Sequence, residues 1–136
     1  MFFGSYEHSI DEKGRLVLPS AFRHAFEKGG FVAPYGECLG LWTAEEFAEV
    51  ARVLDQKVRE GTASVEDLRS FTSRAFEVRP DRQFRIVIPQ RHRDHAGLTR
   101  EVTVVGAYRR VEIWDRERWS RRESAMDSAG VERLGL

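Results

Sequence analysis

Two short stretches of this sequence set an acid and a base four residues apart around a turn. Asp11-Glu12-Lys13-Gly14-Arg15 runs into Leu16-Val17-Leu18-Pro19, and seventy residues later Asp81-Arg82-Gln83-Phe84-Arg85 runs into Ile86-Val87-Ile88-Pro89. An Asp at the end of one strand accepts hydrogen bonds from turn amides and pairs with an Arg entering the next, which fixes where that guanidinium points. An Arg oriented on an exposed tip suits phosphate oxygens, or the guanine edge in a major groove. One exposed Asp–Arg pair is worth only about 0 to 1 kcal/mol and argues for no more than a local bond. Two matched copies, accompanied by Lys13, Arg82, Arg91 and Arg93, argue for binding a polyanion.

Other chemistries find little support. His92 and His95 have a spacing compatible with two metal ligands, but no third ligand cluster accompanies them, and no metal is expected. The single cysteine, Cys38, cannot form an internal disulfide and sits in an apolar run, as a buried core residue does. There is no Gly-rich phosphate loop, nucleophile elbow or supported carboxylate pair, so neither an enzyme nor a cofactor is expected.

The elements that must position the two turns follow from the surrounding pattern. Tyr6 to Ile10 and Arg15 to Leu18 predict two strands joined as a hairpin through Asp11 to Gly14, with Gly14 free to take a positive φ. Pro19 opens a short helix with Phe22, Ala25 and Phe26 on one face, stopped by Gly29-Gly30. Phe31 to Ala33 and Cys38 to Trp42 predict strands around Pro34-Tyr35-Gly36. Thr43-Ala44-Glu45-Glu46 has the form of a capping box, and Phe47, Val50, Val53, Leu54 and Val58 continue at helical spacing to Gly61. A second helix begins at Ser64, with Leu68, Phe71 and Ala75 on one side. Phe76 to Val78 and Arg85 to Ile88 then flank the second turn, Gln90 to Ala96 forms a short helix before Gly97, and strands follow at Val102 to Val105 and Val111 to Trp114. Asp115 starts a last helix, with Trp119 and Met126 as packing residues and a sparse, fraying end beyond Ala125.

The repeat extends past the turns, because Leu39-Gly40-Leu41-Trp42 is answered by Val111-Glu112-Ile113-Trp114. A period this long points to a duplicated half-domain rather than a solenoid. The expected division is a first half-module at 1–60, a helical bridge at 61–75, a second half-module at 76–119 and a tail at 120–136.

At 136 residues and 41% apolar composition, the chain has enough for one compact core shared by two halves. No apolar run reaches the 18 or so residues of a membrane span, and Met1-Phe2-Phe3-Gly4 lacks the features of a signal peptide, so a cytoplasmic protein is expected. The 22 basic and 22 acidic residues cancel, yet Arg79, Arg82, Arg85, Arg91 and Arg93 stand against Asp81 alone between positions 79 and 93. Nineteen arginines against three lysines fit planar phosphate recognition, and equally a biased genomic composition, which weighs more.

The doubled Asp-x-x-x-Arg motif, the Cys38 to Trp42 strand and the Gly106 to Trp114 segment together resemble the MraZ family of bacterial transcriptional regulators, over about residues 1 to 119. The resemblance implies a β-rich α+β fold in which two tandem AbrB-like, swapped-hairpin half-modules form a pseudo-twofold small β-barrel with flanking helices. It implies a cytoplasmic, nucleoid-associated repressor of a division and cell-wall gene cluster, binding direct repeats in its own promoter as a homo-oligomeric, octamer-like ring, with no membrane or small-molecule substrate. Position by position, Asp11, Lys13, Gly14 and Arg15 match the first family motif, and Asp81 and Arg85 the second, with Arg82 beside them. Phe84 stands where the family pattern has Gly, so a different shape is expected for the second turn. Two alternatives are an antitoxin-like regulator that also binds a protein partner, and an assembly module that binds no DNA.

Overall fold

A computed structural model describes residues 1–136 as an α+β fold with a six-stranded antiparallel sheet, a two-stranded ribbon and five helices. Strands β1 (Ser5–Ser9) and β2 (Arg15–Val17) lead into two 3-10 turns, Ser20–Phe22 and His24–Phe26. Strands β3 (Gly30–Tyr35) and β4 (Cys38–Thr43) precede helices α1 (Ala44–Arg59) and α2 (Val65–Ser73). Strands β5 (Phe76–Val78) and β6 (Arg85–Val87), helix α3 (Gln90–Ala96), strands β7 (Glu101–Gly106) and β8 (Val111–Asp115), and helices α4 (Arg116–Ser124) and α5 (Gly130–Arg133) complete the chain. No helix is long and apolar enough to cross a membrane.

The sheet runs β1-β7-β8-β4-β3-β5, which is a palindrome under the sequence repeat: β1 corresponds to β5, β3 to β7 and β4 to β8. In the register, Gly40 faces Glu112 across β4 and β8, and Leu16 faces Ile86 across β2 and β6, so each of these residues lies opposite its own counterpart. One core cluster of 18 buried apolar residues draws nine from positions 2–41 and nine from 78–113. The single cluster makes the halves interdependent, because burying either set requires the other.

Two expectations are corrected here. The predicted hairpin of Tyr6–Ile10 with Arg15–Leu18 does not extend into a ladder, since only an isolated Ile10–Leu16 bridge joins the segments while β1 pairs with β7 and β2 with β6. The reason lies in burial: Leu16, Leu18, Ile86 and Ile88 are all at most 1% exposed, and pairing β2 with β6 sets both apolar runs on one core. An isolated two-stranded hairpin has no comparable face to bury and is marginal in water. The expected closed barrel is also not what the hydrogen bonds draw, because β1 and β5 remain the edges of an open sheet.

The helices follow local chemistry. The Glu46 amide donates to Thr43 Oγ1 at 3.2 Å, and Ser64 and Asp67 cap each other reciprocally at the start of α2. Gly97 ends α3 at φ 65°. After Pro19 the chain makes 3-10 turns rather than a regular helix, which buries Phe22 and Phe26 but leaves Ala25 exposed. Helix α1 stacks Phe47 between Phe31 and Phe71, at centroid distances of 4.7 and 4.8 Å, yet neither α1 nor α2 contains a buried residue. In the tail, Trp119 packs beside Trp114 at 5.6 Å, whereas Met126 is 59% exposed and packs on nothing expected of it.

Candidate nucleic-acid interface

The two turns are built alike, bond for bond. In the first, Asp11 Oδ1 accepts from the amides of Lys13 and Arg15 at 2.9 Å each, and Asp11 Oδ2 accepts from Arg15 Nε at 2.7 Å. In the second, Asp81 Oδ1 accepts from the amides of Gln83 at 2.9 Å and Arg85 at 3.0 Å, and Asp81 Oδ2 accepts from Arg85 Nε at 2.8 Å. The Gly14 amide donates to Asp11 O as the Phe84 amide does to Asp81 O, at 3.0 and 2.9 Å. Because each Asp takes the Arg Nε, the outer nitrogens of each guanidinium stay available for an acceptor outside the chain.

Phe84 takes φ 61° beside 76° at Gly14, so the expectation of a differently shaped second turn is overturned. A left-handed Phe is strained by roughly 1 to 3 kcal/mol and persists only where surroundings over-determine it. Here they do. The ladder between β2 and β6 extends through Leu18 N donating to Phe84 O at 2.9 Å and Ile88 N donating to Gly14 O at 2.8 Å, and the Phe84 ring lies under the Arg23 guanidinium at 4.5 Å.

Arg23 and Arg93 are functional neighbours whose task the sequence did not reveal. Arg23 Nε donates to Leu18 O and Arg93 Nε donates to Ile88 O, both at 2.9 Å, which turns each head group toward the opposite copy's turn. A Cβ placed on Gly14 would meet Arg93 Nη2 at 2.9 Å and Ile88 O at 3.1 Å, so Gly14 serves close approach as well as its positive φ. The sequence signal was the shared spacing of four residues after Pro19 and Pro89; the crossing to the other half was not encoded locally.

The ribbon carries the two turn arginines on one face. Leu16 and Ile86 turn into the core, so Arg15, Val17, Arg85 and Val87 turn outward, with Arg15 opposite Val87 and Val17 opposite Arg85. The two arginines are thus diagonal neighbours, which in an antiparallel ladder lie about 7 to 8 Å apart. A two-stranded ribbon fits a major groove. Lys13 and Arg82 stand exposed on the two tips. Electrostatics keeps the turns set: the Arg15 amide, more than the guanidinium, holds the Asp11 carboxyl below its ordinary value, and the Arg85 amide does the same for Asp81.

No cluster of three His, Cys, Asp or Glu side chains able to hold a metal is present. His92 Nε2 donates to Arg74 O at 2.7 Å and His95 Nε2 to Gly36 O at 2.8 Å, so each histidine has one ring nitrogen committed to a carbonyl.

With this geometry in view, comparison with known proteins is specific. A family model described as "MraZ protein, putative antitoxin-like" matches residues 1–65 and 71–133. A protein of Clavibacter michiganensis named "Transcriptional regulator MraZ" is 41% identical over 131 residues, covering 95% of this chain and 91% of the relative, and one of Clavibacter sepedonicus gives the same figures. A protein of Acetivibrio thermocellus with that name is 39% identical over 124 residues, covering 88% of this chain and 84% of the relative.

Proposed function

The chain belongs to the MraZ family, and from that membership and the paired turns we propose that it is a DNA-binding transcriptional regulator rather than an enzyme. The observation that carries the reading is the diagonal pair Arg15 and Arg85, each oriented by its own Asp on the outer face of one ribbon. In this reading the β2–β6 ribbon enters the major groove. Arg15 and Arg85 address base edges there, while Lys13 and Arg82 hold phosphates and Gly14 keeps the first turn close to the backbone. The palindromic sheet order supports treating 1–60 and 76–119 as two AbrB-like half-modules, with 61–75 as bridge and 120–136 as tail.

A neutral chain needs help to hold a polyanion, and self-association would supply it by aligning several ribbons along direct repeats. The uncovered apolar side of α1 and α2, with Tyr35, Val50, Val53, Leu54 and Phe71 around one groove, supports a homo-oligomer, for which an octamer-like ring is proposed. The expected setting is a cytoplasmic, nucleoid-associated repressor acting on the division and cell-wall cluster that contains its own gene.

The test is a footprint on DNA upstream of the protein's own gene, joined to titrations of that duplex and a scrambled one at two salt concentrations. Protection of regularly spaced repeats supports the reading. Equal affinity for both duplexes at both salts refutes it.

A further inference from the structure

At the end of the sheet beside β3 the two copies of the repeat differ, and the difference leaves a basic cavity. In the first half, the N-terminal segment covers the β7–β8 end of the sheet: Phe2 N donates to Tyr108 O and Tyr108 N to Phe2 O, both at 2.9 Å, and Gly106 N donates to Gly4 O at 2.8 Å. Phe2 then fills the space beside Phe22 and Phe26, at centroid distances of 5.3 and 5.4 Å. At the corresponding place in the second half, the chain is still leaving α2 and no such segment is laid down. Pro34 stands where Gly106 stands, without an amide to donate, and His92 replaces Phe22. What results is a surface cavity of about 220 Å³ lined by Pro34, Arg74, Arg91, His92 and His95.

We propose that this cavity binds a small phosphate-type anion. Of the nineteen arginines, only Arg74, Arg82, Arg91 and Arg100 have a guanidinium without a hydrogen bond or ion pair within the chain, and two of those four meet here with no carboxylate in the lining. The histidines frame the cavity without supplying the anion a donor: with Nε2–H committed to Arg74 O and Gly36 O, their rings are held in place beside it, and Nδ1 of the neutral ring is an acceptor. Two guanidiniums repel a cation and match the oxygens of a phosphate or diphosphate group. The counterpart positions in the first half are Ala21, Phe22 and Ala25, so the repeat does not dictate the basic lining.

The probe is inorganic pyrophosphate, titrated calorimetrically into the full chain against a chloride control of equal ionic strength. Saturable binding of one pyrophosphate per chain is expected, weakened tenfold or more in Arg74→Gln/Arg91→Gln, with ring signals of His92 and His95 shifting in the wild type. Circular dichroism checks that the variant is folded, and Arg91→Gln alone, on the exposed side of α3, provides a second variant if the double one is not. Absence of saturable binding, or equal binding by a folded variant, overturns the proposal. So does a variant that shows a reduced salt slope on scrambled duplex, because that would make the pair contacts to the DNA backbone.

Discussion

The guanidinium of Arg23 lies 4.5 Å from the centroid of the Phe84 ring, joining a side chain from the first half to the turn of the second. Its counterpart Arg93 lies against Gly14, where there is no ring to cover. The two turns have one backbone shape but different supports: an absent side chain in one, a stacked aromatic in the other.

Substitutions at Phe84 should separate these supports. Phe84→Ala keeps the left-handed backbone, whose strain is common to both chains, and should lose about 0.5 to 1 kcal/mol for the missing cation–π contact. Phe84→Gly relieves the strain as it loses the contact and should fall within about 0.5 kcal/mol of the wild type. Urea unfolding midpoints at constant slope measure both, and a Gly variant less stable than the Ala variant would contradict the account.

Arg15→Ala and Arg85→Ala should cost similar amounts of specificity, about 1 to 3 kcal/mol per base contact, because the bonds that aim them agree to within about 0.1 Å. Residue types alone led to the expectation of a differently shaped second turn, on account of Phe84, and the matching geometry removes that reason for setting Arg85 apart from Arg15. Lys13→Ala should weaken promoter and scrambled DNA alike and lower the salt slope by about 1. Titrations at several salt concentrations distinguish the two kinds of loss.

Acid should disarm the turns only at low pH. The folded-state carboxyls of Asp11 and Asp81 are depressed by the amides they accept from, so their contribution is fully present above the unfolded value of about 3.9 and is lost as pH falls through the folded values. Carboxyl carbon shifts followed by NMR should show both titrating below the ordinary Asp value. Asp11→Asn should flatten part of the acid limb of the stability curve.

Cys38 should resist thiol reagents in the native state. Burial pushes its thiol up to about 12, and the Sγ–H donates to Tyr35 O at 3.2 Å. Labelling at pH 8 should proceed at the rate of unfolding and accelerate in urea; rapid native labelling would show the β3–β4 end to be open.

Much of this protein was determined by sequence alone, wherever the cause is local. The caps at Thr43 and Ser64, the stop at Gly97, the buried Cys38 and the Asp–Arg turns each depend on residues within a few positions of one another, and those bonds formed as their spacing required, except that the expected capping box at Thr43 has only its Glu46 amide bond and not the reciprocal one that Ser64 and Asp67 make. Repetition of the motif goes with a sheet order in which β1 corresponds to β5, β3 to β7 and β4 to β8. Tertiary structure decided the rest. Alternation tells which face of a strand is buried, not which strand covers it, and so β2 crossed to β6 instead of folding back on β1. The same limit hid the crossing of Arg23 and Arg93, the left-handed Phe84 that Arg23 covers and the cavity left where no N-terminal segment covers the second half. Those features arise from contacts between residues distant in the chain, whose energies exist only once one core has brought both halves together.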